Sequence, residues 1–280
     1  MSNKKDALGD RMKQYEAVPK GFLTKRLPAI IRLDGSHFHT VTRGFAKPFD
    51  DVLTASMQQT MKYLCENIQG CVLGYTQSDE ISLVLVDYKK LDTEPWFGYN
   101  IQKCVSTSAA MASAAFAKFF QKNANVYVKA TQRISMGGNQ VGNIVYITPD
   151  SESRSKAYAK ALSGIPTFDS RIFTLPKEEV CNYILWRQND CIRNSIEALG
   201  QAHFSANQLH KKSQYDILNM LYADKDIDWN NLPTHLKRGS CCIKTEIPGI
   251  KHLKWKIDTE IPIFKKEDRK YVDNRVFIGE

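Results

Sequence analysis

Nowhere in this sequence is there a run of the ~18 or more uncharged apolar residues that a membrane-spanning helix needs. The opening stretch, MSNKKDALGDRMKQYE, lacks the apolar segment of a signal peptide. Neither a membrane nor a secretory route is indicated, and a cytoplasmic protein is expected. No Cys-x-x-Cys pair occurs either, and the seven cysteines (Cys65, Cys71, Cys104, Cys181, Cys191, Cys241, Cys242) are odd in number. That argues against a zinc site and against a disulfide framework, leaving reduced thiols in a reducing compartment. Repeats, low-complexity tracts and Gly/Ser linkers are absent too, so nothing marks a sharp domain boundary.

Acidic residues are missing from 118–133 (KFFQKNANVYVKATQR), which carries Lys118, Lys122, Lys129 and Arg133 in a chain of net charge +9. The segment 251–275 is also basic, although several acids dilute it. Such an excess suits a polyanion such as RNA or DNA, whose phosphates release counterions to lysine and arginine. A solvated basic face would look the same. The histidines include His37 and His39, which would share one face of a strand, but no third metal ligand stands near them. Packing or a hydrogen bond to a substrate is the simpler role.

What is present is enough apolar sequence for a core, 42% of 280 residues, patterned into short elements. Residues 28–33 (PAIIRL) read as a strand halted by an Asp34-Gly35 turn. Leu53, Met57, Met61, Leu64, Cys65 and Ile68 recur at helical spacing, with Asp50 or Asp51 placed to cap. Strands follow at 71–76 and 80–86, joined by a hairpin at Gln77-Ser78-Asp79. An Ala/Ser-rich helix is expected over about 99–121, a strand at 168–174 and a helix from Pro176, in its first turn, to about Leu199. Short helices over 205–222 and a basic, β-rich tail complete the chain. This order predicts an α+β fold, a mainly antiparallel sheet with helices on one side, like a ferredoxin-like palm.

On that sheet, Asp34 ends the first strand while Asp79 and Glu80 open the third. If those strands are neighbours, three carboxylates meet at one end. Two of them about 4 Å apart repel by ~4 kcal/mol at an effective dielectric of ~20, so a cation between them is expected. Mg²⁺ suits such a place because it takes one or two carboxylates and completes its shell with water and phosphate. A pair of such ions is the usual apparatus of nucleotidyl transfer. Ser36, Ser78 and Lys47 are placed to add hydroxyls and charge. Against this, Asp-Gly is a common turn dipeptide and Ser-Asp-Glu a common turn or helix start.

The segments RLDGSHFHTVTRGFAKPFDD (32–51), GYTQSDEISLVL (74–85), FDSR (168–171) and WRQNDC (186–191) occur in one order and together resemble the tRNA-histidine guanylyltransferase-like family. Its members add nucleotides in the 3'-to-5' direction. The resemblance covers roughly residues 25–240 and implies a polymerase/cyclase-like palm. Residues 1–150 would be the catalytic core, with 151–280 completing it by a strand, helices and the basic tail. It implies two Mg²⁺ ions held by Asp34, Asp79 and the Gly35 carbonyl, with Glu80 close by in the acidic cluster. Ser36, His37, Phe38, His39, Lys47, Ser78 and Lys103 would contact nucleotide or triphosphate.

Asp169, Arg171, Arg187 and Asn194 are the candidates to face RNA, joined by Lys129 and Arg133 of the acid-free stretch; Arg171 and Arg187 have the alternative of structural ion pairs. In the family's chemistry ATP adenylylates a 5'-monophosphate, and the 3'-hydroxyl of GTP or another nucleoside triphosphate displaces AMP. A 5'-triphosphorylated RNA skips the first step. The family also implies a tRNA partner and a homotetramer. One departure bears on the substrate: where eukaryotic members carry His-Ile-Asn-Asn after the WRQ-x-D-C run, this chain reads Ile192-Arg193-Asn194-Ser195. Template-dependent repair of tRNA 5' ends is therefore expected over addition of the extra guanosine of histidine tRNA. A nucleotide cyclase and an inactive RNA-binding module are the other readings.

Overall fold

In Ala29–Gly35 (β1) successive side chains enter opposite apolar clusters: Ile31 and Leu33 one, Ile30 the other. Glu80–Leu85 (β3) behaves likewise and is buried along its whole length. A sheet whose strands are buried on both faces needs a layer on each. The computed structural model describes residues 7–135, 151–247 and 250–279, and of these leaves out the side chains of 130–135, 151, 247 and 250–252.

The chain runs through helix α1 (Ala7–Ala17), β1, a short turn of helix α2 (Phe38–Val41), α3 (Asp51–Asn67), β2 (Cys71–Gln77), β3, α4 (Ile101–Ser135) and α5 (Ser151–Ser163). It continues with β4 (Phe168–Thr174), α6 (Lys177–His203), α7 (Ala206–Leu209), α8 (Gln214–Lys225), α9 (Thr234–Arg238), the hairpin of β5 (Ser240–Ile247) and β6 (Ile250–Asp258), and α10 (Lys270–Val276). The strands form one antiparallel sheet in the order β4-β1-β3-β2-β5-β6.

Helices cover both faces, not one as the sequence predicts. Met57, Met61, Leu64 and Cys65 of α3 with Phe116 and Phe120 of α4 pack on the face of Ile31, Leu33 and Leu83. Val180, Cys181 and Ile184 of α6 with Val272 and Val276 of α10 pack on the face of Ile30, Val84 and Tyr75. The alternation in EISLVLV suggests a single apolar face, but Ser82 is buried too, hydrogen-bonded to Tyr183.

Three boundaries also move. Helix α4 extends well past 121 because Phe116, Phe120, Ala124 and Tyr127 continue one buried stripe at helical spacing. Pro176 sits at the cap position before α6 and not in its first turn. The segment after 240 is no tail: β5 pairs with β2 through Gly74 and Cys242, Tyr75 and Cys241, and Thr76 and Ser240. The cap of α3 is Asp50, whose carboxylate accepts from the Leu53 N–H at 2.9 Å.

Candidate active site

The strand registers arrange side chains in rows across the face that α6 covers. Phe173, Ile30, Val84 and Leu73 make an apolar row; one pair closer to the sheet end, Arg171, Arg32, Ser82 and Tyr75 make a second. The next row is Asp169, Asp34, Glu80 and Gln77. Directly opposed residues share a face, so Asp34 and Glu80 converge although 45 positions separate the motifs that carry them in sequence, Asp34 and Asp79. Asp34 and Gly35 belong to β1 itself and do not turn the chain away. The Gly35 N–H donates to the Asp79 carbonyl at 3.1 Å, tying the β2–β3 turn to β1. A side chain at Gly35 would put its Cβ 2.4 Å from the Phe38 ring, so only glycine lets the backbone and that ring approach.

The three acids differ in what neutralises them. Glu80 is buried, and its Oε2 is 3.0 Å from Arg32 Nη2 and 2.9 Å from Arg187 Nη1. Burial is nonetheless the larger influence and holds its carboxyl above the ordinary range, with Arg187 and Arg32 pulling it back. Asp34 meets Arg32 at 3.6 Å. Asp79 has no lysine or arginine within salt-bridge reach among the described residues. Burial first, then the neighbouring Asp34, push its carboxyl up, against hydrogen bonds from its own N–H and from Ser78.

Arg187, a candidate to face RNA, is corrected here: it is 5% exposed and its guanidinium spans Glu80 and Asp190, the latter at 3.1 Å. It is a structural ion-pair partner. Arg171 remains exposed and, among the described residues, pairs at 3.1 Å only with Asp169 on its own strand, which is equally exposed. The Phe38 side chain is 3% exposed, wedged between Phe116 and Phe168 with ring centroids 5.2 and 5.1 Å away, which leaves the backbone of that segment to meet a nucleotide. His37 and His39 beside it are exposed, and Ser36 partly so.

Ser78 occupies the hairpin turn at φ 48°, and its neighbourhood opens into a cavity of about 290 Å³. Lys47 and Asn194 line the same cavity, with Phe45, Phe49 and His235. Lys103 is exposed near the start of α4, its ammonium 5.9 Å from the Phe97 ring. Lys129 is exposed on α4, and the Arg133 side chain lies outside the described residues. The motifs do not single out Arg32 and Asp190. Arg32 stands two residues from Asp34 on a strand and Asp190 three from Arg187 on a helix, spacings that put each on its partner's face.

The family profile described as "Thg1: tRNAHis guanylyltransferase" matches residues 9–176. A bacterial tRNA(His) guanylyltransferase (Thg1)-like protein solved with ATP is 38% identical, with TM-score 0.76 over 97% of this chain and 100% of that one. A structure described in the same words but with GTP is 37% identical, TM-score 0.73, over 98% and 100%. The enzyme of Saccharomyces cerevisiae, 17% identical over 85% of this chain and 96% of its own with TM-score 0.60, shares the fold. Among curated sequences, an uncharacterised protein of Acanthamoeba polyphaga mimivirus is 26% identical over 84% of this chain and 76% of its own. A probable tRNA(His) guanylyltransferase of Dictyostelium discoideum is 25% identical over 78% and 75%. With more than half its length inside that profile, this chain belongs to the tRNAHis guanylyltransferase family of nucleotidyltransferases.

Proposed function

We propose that this protein adds nucleotides in the 3'-to-5' direction to the 5' end of tRNA, directed by the opposing strand, so that truncated ends are repaired. The observation that carries the chemistry is the contrast between Glu80, held by two guanidiniums, and the Asp34–Asp79 pair, where Asp79 is half-buried beside a like charge with no lysine or arginine in salt-bridge reach among the described residues. The donor set is oxygen only, and among the described residues no three His, Cys, Asp or Glu side chains gather into a metal cage. That suits Mg²⁺, which binds through one or two carboxylates plus phosphate and water. Asp34, Asp79 and the Gly35 carbonyl would hold it, and when bound it neutralises the triphosphate and the developing charge of the transfer.

The chain's own groups do the rest. Arg187 and Arg32 fix Glu80, and through the adjoining peptide fix Asp79. Ser78 and Lys47 line the cavity and would take triphosphate oxygens, with Lys103 a further cation, while Asp34 and Asp79 face the reacting phosphate. The two displacements need position and charge neutralisation above all. ATP would activate the 5'-monophosphate, and the 3'-hydroxyl of GTP or another nucleoside triphosphate would attack that phosphorus and release AMP. The Ile192–Ser195 run favours repair over addition of the guanosine of histidine tRNA. A nucleotide cyclase would leave the acid-free basic stretch without a partner.

The described residues include no helix long and apolar enough to cross a membrane, and we place the protein in the cytoplasm. We also propose the homotetramer. Helix α1 buries no residue and exposes Leu8, Met12 and Tyr15 along one side, a face suited to a second copy. The test of function supplies a 5'-monophosphorylated tRNA lacking its first nucleotide, with Mg²⁺, ATP and each nucleoside triphosphate in turn. Addition of only the complementary nucleotide is expected; addition of guanosine regardless of the opposing base would replace repair with the histidine-tRNA reading.

A further inference from the structure

Trp186 exposes 52% of its surface one position before the buried Arg187. Single exposed aromatics are ordinary. This one differs in what lies beneath it. The guanidinium carbon of Arg187 is 3.8 Å from the indole ring, and that guanidinium is fixed by Glu80 at 2.9 Å and Asp190 at 3.1 Å. The indole also meets the Tyr183 ring, centroids 5.9 Å apart and the planes tilted by 58°. Tyr183 is itself pinned, its hydroxyl 3.0 Å from Ser82 on β3 and its ring 5.6 Å from Phe173 on β4. The indole is thus a rigid plate, wired through one guanidinium to the acid row.

Tyr183 links the plate to Phe173 on β4 as well as to Ser82 on β3. Strand β4 is the edge of the sheet, and Arg171 and Asp169 project from it, exposed, on the face that α6 covers. Asp34 lies on β1, the strand next to that edge, directly opposite Asp169.

We propose that Trp186 is the stacking platform for the 5'-terminal base of the RNA as it enters the acid row, with Arg171 beside it for the backbone phosphate. This rests on the reading that the protein acts on RNA 5' ends. An indole suits the task because every base has a π-face, so stacking tolerates any terminal nucleotide, as repair of varied ends requires. A platform fixed from below by a buried ion pair costs little ordering when the base arrives.

The test uses a 5'-monophosphorylated RNA whose terminal base is 2-aminopurine, titrated in Mg²⁺ without nucleotide into wild type, Trp186→Ala and Trp186→Phe. Stacking quenches the probe. Wild type is expected to quench it. W186A should lose the quenching and bind about tenfold more weakly, in line with base–aromatic stacking, and W186F should recover most of both. In turnover, W186A should raise the KM for RNA and leave that for the nucleoside triphosphate. Equal quenching and affinity in wild type and W186A would overturn the platform even if nucleotides are added. Quenching by a wild type that adds no nucleotide would uphold the platform and overturn the functional reading instead. A shift in oligomeric state in W186A with quenching unchanged would assign the indole to a subunit contact and also overturn the proposal.

Discussion

Asp79 holds its proton more tightly in the fold than in the unfolded chain, because burial and the charge of Asp34 both oppose ionisation. Between the ordinary carboxylate range and that raised value, the folded state binds more protons. Stability therefore falls as pH rises through this window, and at neutral pH the ionised Asp79 is a cost. Asp79→Asn should then raise the melting temperature at pH 7 without Mg²⁺ by ~2–4 °C, the shift that about 1 kcal/mol gives a chain of this class, and should flatten the acid side of the stability profile. Thermal scans from pH 4 to 8 check both. Glu80 carries the opposite expectation. Removing it leaves the buried Arg187 with Asp190 alone and the partly buried Arg32 with Asp34 alone, so Glu80→Ala should cost about 3 kcal/mol, the lower end for breaking a buried ion pair, read by denaturant unfolding. A Glu80→Ala protein as stable as wild type would mean that the Arg32–Glu80–Arg187 cluster does not hold the turn.

At the scale of elements, α4 divides its work between two faces. Phe116, Phe120 and Tyr127 are buried on one, while Lys118, Lys122 and Lys129 are exposed on the other, and none of these lysines forms an ion pair among the described residues. If the stripe follows an RNA backbone, Lys118→Gln/Lys122→Gln/Lys129→Gln should weaken binding of any sequence alike. It should also shrink the slope of log affinity against log salt by about 2–3, at ~0.7–0.9 for each phosphate no longer neutralised. An unchanged slope in a filter-binding series would make the stripe a solvated face. Local sequence made several elements legible: the Asp50 cap, the helical spacing of α3, the turn at Ser78-Asp79 and strand β4. It did not reveal the length of α4, because beyond 121 the helix carries Tyr127 against Tyr158, a partner on another helix.

Across the whole molecule, what sequence could not supply was mostly what another layer decides. Ser82 looks like a solvent-facing break in β3 until α6 brings Tyr183 over it. Residues 240–258 carry no motif, yet they extend the sheet beyond β2, because Gly74, Tyr75 and Thr76 leave a strand edge to be paired. Asp34, Asp79 and Glu80 were legible as a group because adjacent strands align them. The unequal pairing was not: Glu80 lies between two guanidiniums, Asp34 meets Arg32 alone, and Asp79 has no lysine or arginine in reach among the described residues, since Arg187 arrives from α6, more than a hundred residues later. The burial of Arg187 and of Phe38 has the same origin: both side chains are enclosed by a layer that their own motifs do not contain.

The most direct test of the account compares wild type with Asp79→Ala on a 5'-truncated tRNA in Mg²⁺ and ATP, resolving the 5' end by gel and measuring RNA affinity in parallel. The account predicts nucleotide addition by wild type, none by the variant, and RNA binding within about twofold in both; equal addition by the two proteins would contradict it.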